Sequence, residues 1–149
     1  MRELSVRHAL SVDPVGVIDA IWSGAEWNSR WEAIRLFRVG YDDGLHQIAE
    51  ITLDWYGALV RMKVVRFRTR PLCIEFFCPR PPHPLAHQSG SWSVENKDGK
   101  SFLVATRRIA LAETPSESEG ERELRLTNYA DRLSERLSLI LPRFSYSSE

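Results

Sequence analysis

Cysteine, net charge and long apolar runs are what this sequence has little of, and each shortage excludes a class of protein. Its 149 residues carry 20 basic and 20 acidic side chains, for a formal net charge of zero. That balance removes the usual electrostatic basis for binding nucleic acid. No apolar stretch approaches the roughly 18 residues needed to cross a bilayer, and Met1–Arg2–Glu3 leads directly into a strand pattern rather than a signal-peptide core. The expectation is a cytoplasmic protein with neither nucleic acid nor membrane as partner. Two cysteines, Cys73 and Cys78, do not make a disulfide framework. Five residues apart on an extended segment they point to opposite faces, which argues against a local bridge. With His83 and His87 they fail as a zinc site, because only four residues, stiffened by three prolines, separate Cys78 from His83. There is no H-E-x-x-H, phosphate-cradling glycine loop, G-x-S-x-G or dinucleotide fingerprint. No metal and no cofactor are expected. Only three basic residues are lysine, a skew to which no mechanistic weight is given.

What is present is a regular succession of elements. Leu4, Val6, His8, Leu10 and Val12 alternate with polar residues as a first strand. Asp13-Pro14 then supplies an N-cap and a first-turn proline for a helix whose stripe is Val17, Ile18, Ile21 and Trp22. A second short helix, Ala25 to Trp31, sets Trp27 and Trp31 one turn apart. Six further strands follow: 34–41, 45–56, 58–70, 72–78, 86–96 and 101–111. The hairpin signals Asp42-Asp43-Gly44 and Lys97-Asp98-Gly99-Lys100 separate two of the pairs. The polar stretch Glu113 to Gly120 reads as mobile. A final helix, Glu121 to Leu141, repeats Leu126, Ala130, Leu133, Leu137, Ile140 and Leu141 at helical spacing. Length and the absence of repeats favour one domain spanning 1–149. The architecture expected is α+β: a helix-grip fold, with a seven-stranded antiparallel sheet wrapped around a long C-terminal helix and two short helices after the first strand. Such a sheet leaves an inner space for a ligand.

Candidate site residues follow from the pattern. On the fourth strand Val60, Met62 and Val64 share a face with Arg66 and Arg68 by period-two alternation. An arginine following three apolar residues is either a wet rim or a guanidinium held at the cavity to polarise a carbonyl or enolate. On the sixth strand Gln88, Gly90, Trp92 and Val94 share a face. Trp31 and Trp92 read equally as core and as cavity wall. Asn128 and Tyr129, near the start of the last helix, face either ligand or a neighbouring loop.

The D-P-V-G-V-I-D-A-I-W-S helix, the W-N-S-R-W turn, the strand reaching Arg66, the H-Q-S-G-S-W-S-V strand around Trp92 and the helix bearing Asn128 together resemble the START-like superfamily, specifically the bacterial polyketide aromatase/cyclases. Where that family commonly reads W-x-W-x-S-x-R, this chain has Val60, Met62, Val64 and Arg66, keeping only the arginine. The resemblance implies an enzyme that folds a poly-β-ketone held on an acyl carrier protein and promotes its aldol cyclisation and dehydration to an aromatic ring, as in antibiotic biosynthesis. The family's arginine role carries over to Arg66 as catalytic, and Trp31, Trp92 and Asn128 carry over as substrate-binding pocket residues. From their places on the helix and strand faces Tyr129 is added as catalytic and Met62, Val64 and Gln88 as substrate-binding. The proton acceptor stays open among Tyr56, Tyr129, His87 and water. Implied partners are the carrier protein and a ketosynthase complex, with a homodimer as one oligomeric option. The alternative is a non-catalytic carrier of a lipid, quinone or isoprenoid; a third is an accessory subunit of a synthase.

Overall fold

The computed structural model describes residues 1–145 of the chain. In chain order its elements are β1 (Arg2–Ala9), α1 (Pro14–Trp22), α2 (Gly24–Arg30), β2 (Ile34–Asp42), β3 (His46–Trp55), β4 (Ala58–Arg70), β5 (Cys73–Phe77), β6 (Leu85–Lys97), β7 (Lys100–Leu111) and α3 (Glu119–Ser145). The strands form one sheet in the order β1-β7-β6-β5-β4-β3-β2, every neighbouring pair antiparallel. This is the helix-grip α+β architecture that the sequence pattern implies.

Local chemistry explains most boundaries. The Asp13 carboxylate accepts from Gly16 N at 3.1 Å, and Pro14 opens α1 where a missing N–H has no partner to lose. The β3–β4 and β6–β7 hairpins turn through Tyr56-Gly57 and Asp98-Gly99, all four residues at positive φ. That geometry matches the twist of paired strands and favours glycine in the second place. Along α3, Leu133, Leu137, Ile140, Leu141 and Phe144 fall on one stripe. They pack with Ile74, Leu103, Ala105 and Ile109 of the sheet in one core, each large side chain contributing about 1.5–3 kcal/mol by leaving water. Among the described residues no helix is long and apolar enough to cross a membrane.

Four boundaries differ from expectation. β1 ends at Ala9, short of Leu10 and Val12. Residues 113–120 are held rather than loose. Ser118 Oγ accepts from Glu121 N and donates to Glu121 Oε1, both at 3.1 Å, a reciprocal helix cap. Arg125 grips both carboxylate oxygens of Glu117, at 2.9 and 3.0 Å, and donates to Ala112 O. The long helix therefore starts at Glu119. It also continues past Leu141 to Ser145, whose carbonyl accepts from Ser11 N and Oγ and docks the helix end on the β1–α1 connection. Trp31 lies just beyond α2 in extended backbone, with its ring 6.4 Å from that of Trp27.

Candidate functional site

The inner faces of β2 to β7 carry apolar rows that point towards α3 and α2, and they do not meet everywhere. A cavity of about 140 Å³ remains between them, close to the size of a space that admits one benzene ring. Trp27, Phe37, Phe76 and Trp92 wall its buried end. Trp55, Val60, His83 and Tyr129, each partly or largely exposed, line the other end, between the β3–β4 hairpin, the Pro82–Pro84 segment and α3. Among the described residues three arginines, Arg66, Arg107 and Arg136, line the cavity, and no carboxylate does.

Strand register sets two of these arginines in place. Asp42, Gln47, Arg66, Phe76, Gly90 and Arg107 are successive partners across β2, β3, β4, β5, β6 and β7, forming one lateral row on the inner face. Arg66 and Arg107 therefore flank Phe76. Arg66 is 3% exposed and Arg107 5%. Burial pushes each guanidinium down to about 9, still cationic at neutral pH; for Arg66 the charge of Arg107 adds to the effect and that of Asp42 opposes it.

Their surroundings differ. Arg66 Nη1 donates to Gln47 Oε1 at 2.7 Å and to Trp22 O at 3.2 Å, while Nη2 donates to Ile21 O. Those carbonyls end α1 and lack intrahelical donors, so Arg66 acts as a C-terminal cap on the helix. Gln47, itself buried, donates to Trp22 O (2.9 Å) and to Asp42 Oδ2 (3.2 Å), and Trp22 Nε1 donates to the same carboxylate oxygen at 3.0 Å. Every member of this network has a partner. Among the described residues Arg107 hydrogen-bonds only to carbonyls, both from Nη1: Thr106 O at 2.6 Å and Ser91 O at 3.4 Å. Its guanidinium lies 4.6 Å from the Phe76 ring centroid and 4.7 Å from that of Trp92, cation–π contacts that offset part of the desolvation. Gly90 makes room for it: a Cβ there would stand 2.1 Å from Thr106 O and 3.1 Å from Arg107 Cδ.

Of the residues singled out from sequence, Arg66, Tyr129, Trp31, Met62, Val64, Gln88 and Trp92 all line this cavity. Asn128 does not. It borders a separate groove with Pro84, Leu111 and Arg125, because one residue of helix rotates about 100° away from the Tyr129–Leu133–Leu137 stripe. Two proton-acceptor candidates also lie elsewhere. Tyr56 is exposed and donates to Arg132 O at 3.2 Å, and His87 pairs with Ser89 Oγ at 2.9 Å. Arg68 leaves the cavity for the surface, paired with Asp19 at 2.8 Å. Burial pushes the Tyr129 phenol up to about 12 and the Cys78 thiol up to about 11, the latter despite the opposing pull of Arg107. Both stay protonated at neutral pH. Cys73 and Cys78 are free and buried, and among the described residues no three His, Cys, Asp or Glu side chains gather as a metal site. Sequence reading missed Arg107, Gln47 and His83. The first two sat in plain alternation with apolar neighbours: Leu103, Ala105, Arg107, Ile109, and Gln47, Ala49, Ile51, Leu53.

No protein-family model and no curated protein matches the sequence. Solved structures do match its fold. The Zhui aromatase/cyclase from Streptomyces sp. R1128 is 13% identical and superposes with a TM-score of 0.77 over 96% of this chain and 93% of that one. The fold is START-like. A START superfamily protein from Mycobacterium smegmatis, 11% identical, gives a TM-score of 0.63 over 92% and 97% of the two chains. The di-domain ARO/CYC BexL from the BE-7585A biosynthetic pathway gives 0.83 at 12% identity, with this START-like chain covered over 99% of its length and about half of BexL, 51%. At these identities the likeness establishes the fold, which aromatase/cyclases and other START-like proteins share, and leaves the chemistry to the site.

Proposed function

We propose that this START-like protein takes the reacting segment of a carrier-protein-bound poly-β-ketone into the cavity, the rest of the chain leaving by the exposed end, and promotes its aldol cyclisation and dehydration to an aromatic ring. The observation that carries this reading is an aromatic-walled cavity with guanidinium charge at its buried end and a protonated phenol towards its open end. Aromatic and aliphatic walls, among them Trp31, Met62, Val64 and Trp92, restrict a flexible chain to few conformers and bring the carbon nucleophile next to one carbonyl. The Arg66 charge favours the enolate and the alkoxide formed when the new C–C bond closes. Tyr129, kept protonated by burial, donates to the oxygen that leaves as water. His83 is the imidazole lining the cavity, at its exposed end, and it takes up the α-proton.

The test is reconstitution with a ketosynthase and a loaded carrier protein, comparing products with wild type, Tyr129→Phe and no protein. Wild type should direct the chain to one aromatic product, and Tyr129→Phe should slow that step by about 100-fold and return the mixture of spontaneous cyclisation products. Identical profiles from wild type and the blank refute the proposal. The second reading, a non-catalytic carrier of a hydrophobic ligand, is favoured by one feature: Nη1 and Nη2 of Arg66 are already bonded to Ile21, Trp22 and Gln47. Under it the product profile is unchanged, and a ligand recovered from the purified protein by mass spectrometry leaves unaltered.

A further inference from the structure

The structure assigns Arg107 as the seat for an anionic oxygen group, so that the ligand of this cavity is a flat apolar body ending in a carboxylate or in the enolate of a 1,3-dicarbonyl. The assignment concerns binding and holds with or without turnover. A guanidinium has five N–H donors in a planar fork. Those of Arg107 Nη1 reach Thr106 O and Ser91 O, whereas Nε and Nη2 have no acceptor among the described residues. That free edge is the one that takes an oxygen pair in two parallel bonds. No carboxylate lies within ion-pair distance of Arg107 among the described residues, although the side chain is 95% buried by its 5% exposure.

A buried cation without a counter-ion is costly, and Phe76 and Trp92 offset only part of that cost. The neighbouring polar group is also underused: the Gln88 amide makes one long contact, 3.9 Å to Cys78 Sγ. Arg66, in the same lateral row, has its charge answered by Asp42 and its hydrogen bonds answered by Gln47 and α1. The lining adds two more cations and no acid, so an anion entering the cavity meets attraction and no repulsion. Gly90 is the enabling residue, since any side chain there would collide with the strand that carries Arg107.

Calorimetric titration with 2-naphthoate and with its neutral counterpart 2-naphthalenemethanol tests the assignment. One charge-assisted hydrogen-bonded contact is worth about 10- to 100-fold in affinity, so wild type should prefer the acid by that factor. Arg107→Met should bind both probes equally while keeping its affinity for the alcohol, which shows that the cavity persists. A second arm, 1-phenylbutane-1,3-dione followed by its enolate absorbance, separates the two oxygen groups. A fall of its apparent pKa on wild-type protein but not on Arg107→Met identifies the enolate as a ligand, and an unmoved pKa beside a retained naphthoate preference identifies the carboxylate. Equal affinities for acid and alcohol in wild type, a preference that survives Arg107→Met, or no binding of either probe at millimolar concentration overturns the assignment.

Discussion

Two arginines stand in one row of the same sheet with two strands between them, both deeply buried, and the fold treats them in opposite ways. Arg66 is built into the protein: its donors close the C-terminus of α1 and bond Gln47, which in turn holds Asp42. Arg107 is held by two carbonyls and two aromatic faces, with part of its fork unused. Burial alone does not tell a guanidinium whose donors are held within the chain from one free to bond a ligand. What separates them is whether the desolvated donors find acceptors within the chain, because an unanswered buried charge lowers stability unless a ligand answers it.

The comparison breaks most easily at Arg66. Arg66→Met leaves Gln47 Oε1 without its donor and Asp42 without the neighbouring cation, while Ile21 O keeps Trp27 Nε1 and Trp22 O keeps Gln47 Nε2. It should destabilise the fold by about 1–3 kcal/mol. The readout is the urea midpoint at unchanged m-value; a loss below about 1 kcal/mol would remove Arg66 from its structural role. Arg107→Met should act in the other direction. Replacing an unpaired buried cation by an apolar side chain of similar length should leave stability within about 1 kcal/mol of wild type or raise it, and a large loss would mean that Arg107 is as structural as Arg66.

The smallest effect is at Cys78. Its thiol stands at about 11 in the folded protein against 9.0 when free, so above pH 9 the unfolded chain gives up a proton that the folded chain retains. Stability therefore falls as pH rises from 9 towards 11. Cys78→Ala should remove this component of the alkaline slope in urea midpoints. Arg107, itself at about 9, loses its charge across the same window, so Arg107→Met should alter this component little, and Arg66→Met should leave it in place.

Much of this was legible in the chain. Alternation in β4 put Arg66 on the face of Val60, Met62 and Val64, and the structure buries it there. The helical stripe of α3 and the Asp-Gly turns were equally plain. The same alternation in β7 carried Arg107 between Ala105 and Ile109, yet the adjacent Arg107-Arg108 pair reads as a charged strand surface until pairing with Gly90 shows which of the two turns inward. Asn128 looked like its neighbour Tyr129 because sequence adjacency hides a third of a helical turn. The stretch 113–120 looked loose because its polar residues bond to one another and to Arg125, contacts that composition does not reveal.

The sequence by itself determined the order of elements, the inward faces of β4 and α3 and the helix-grip architecture, because periodicity, caps and turns are local consequences of backbone geometry. Tertiary structure alone decided which inward arginine is satisfied. Arg66 meets carbonyls more than 40 residues away in the chain, and Arg107 lies flat only because a glycine stands opposite on the next strand. A hydrogen bond forms wherever a donor and an acceptor meet in space, and no period in the sequence encodes that meeting.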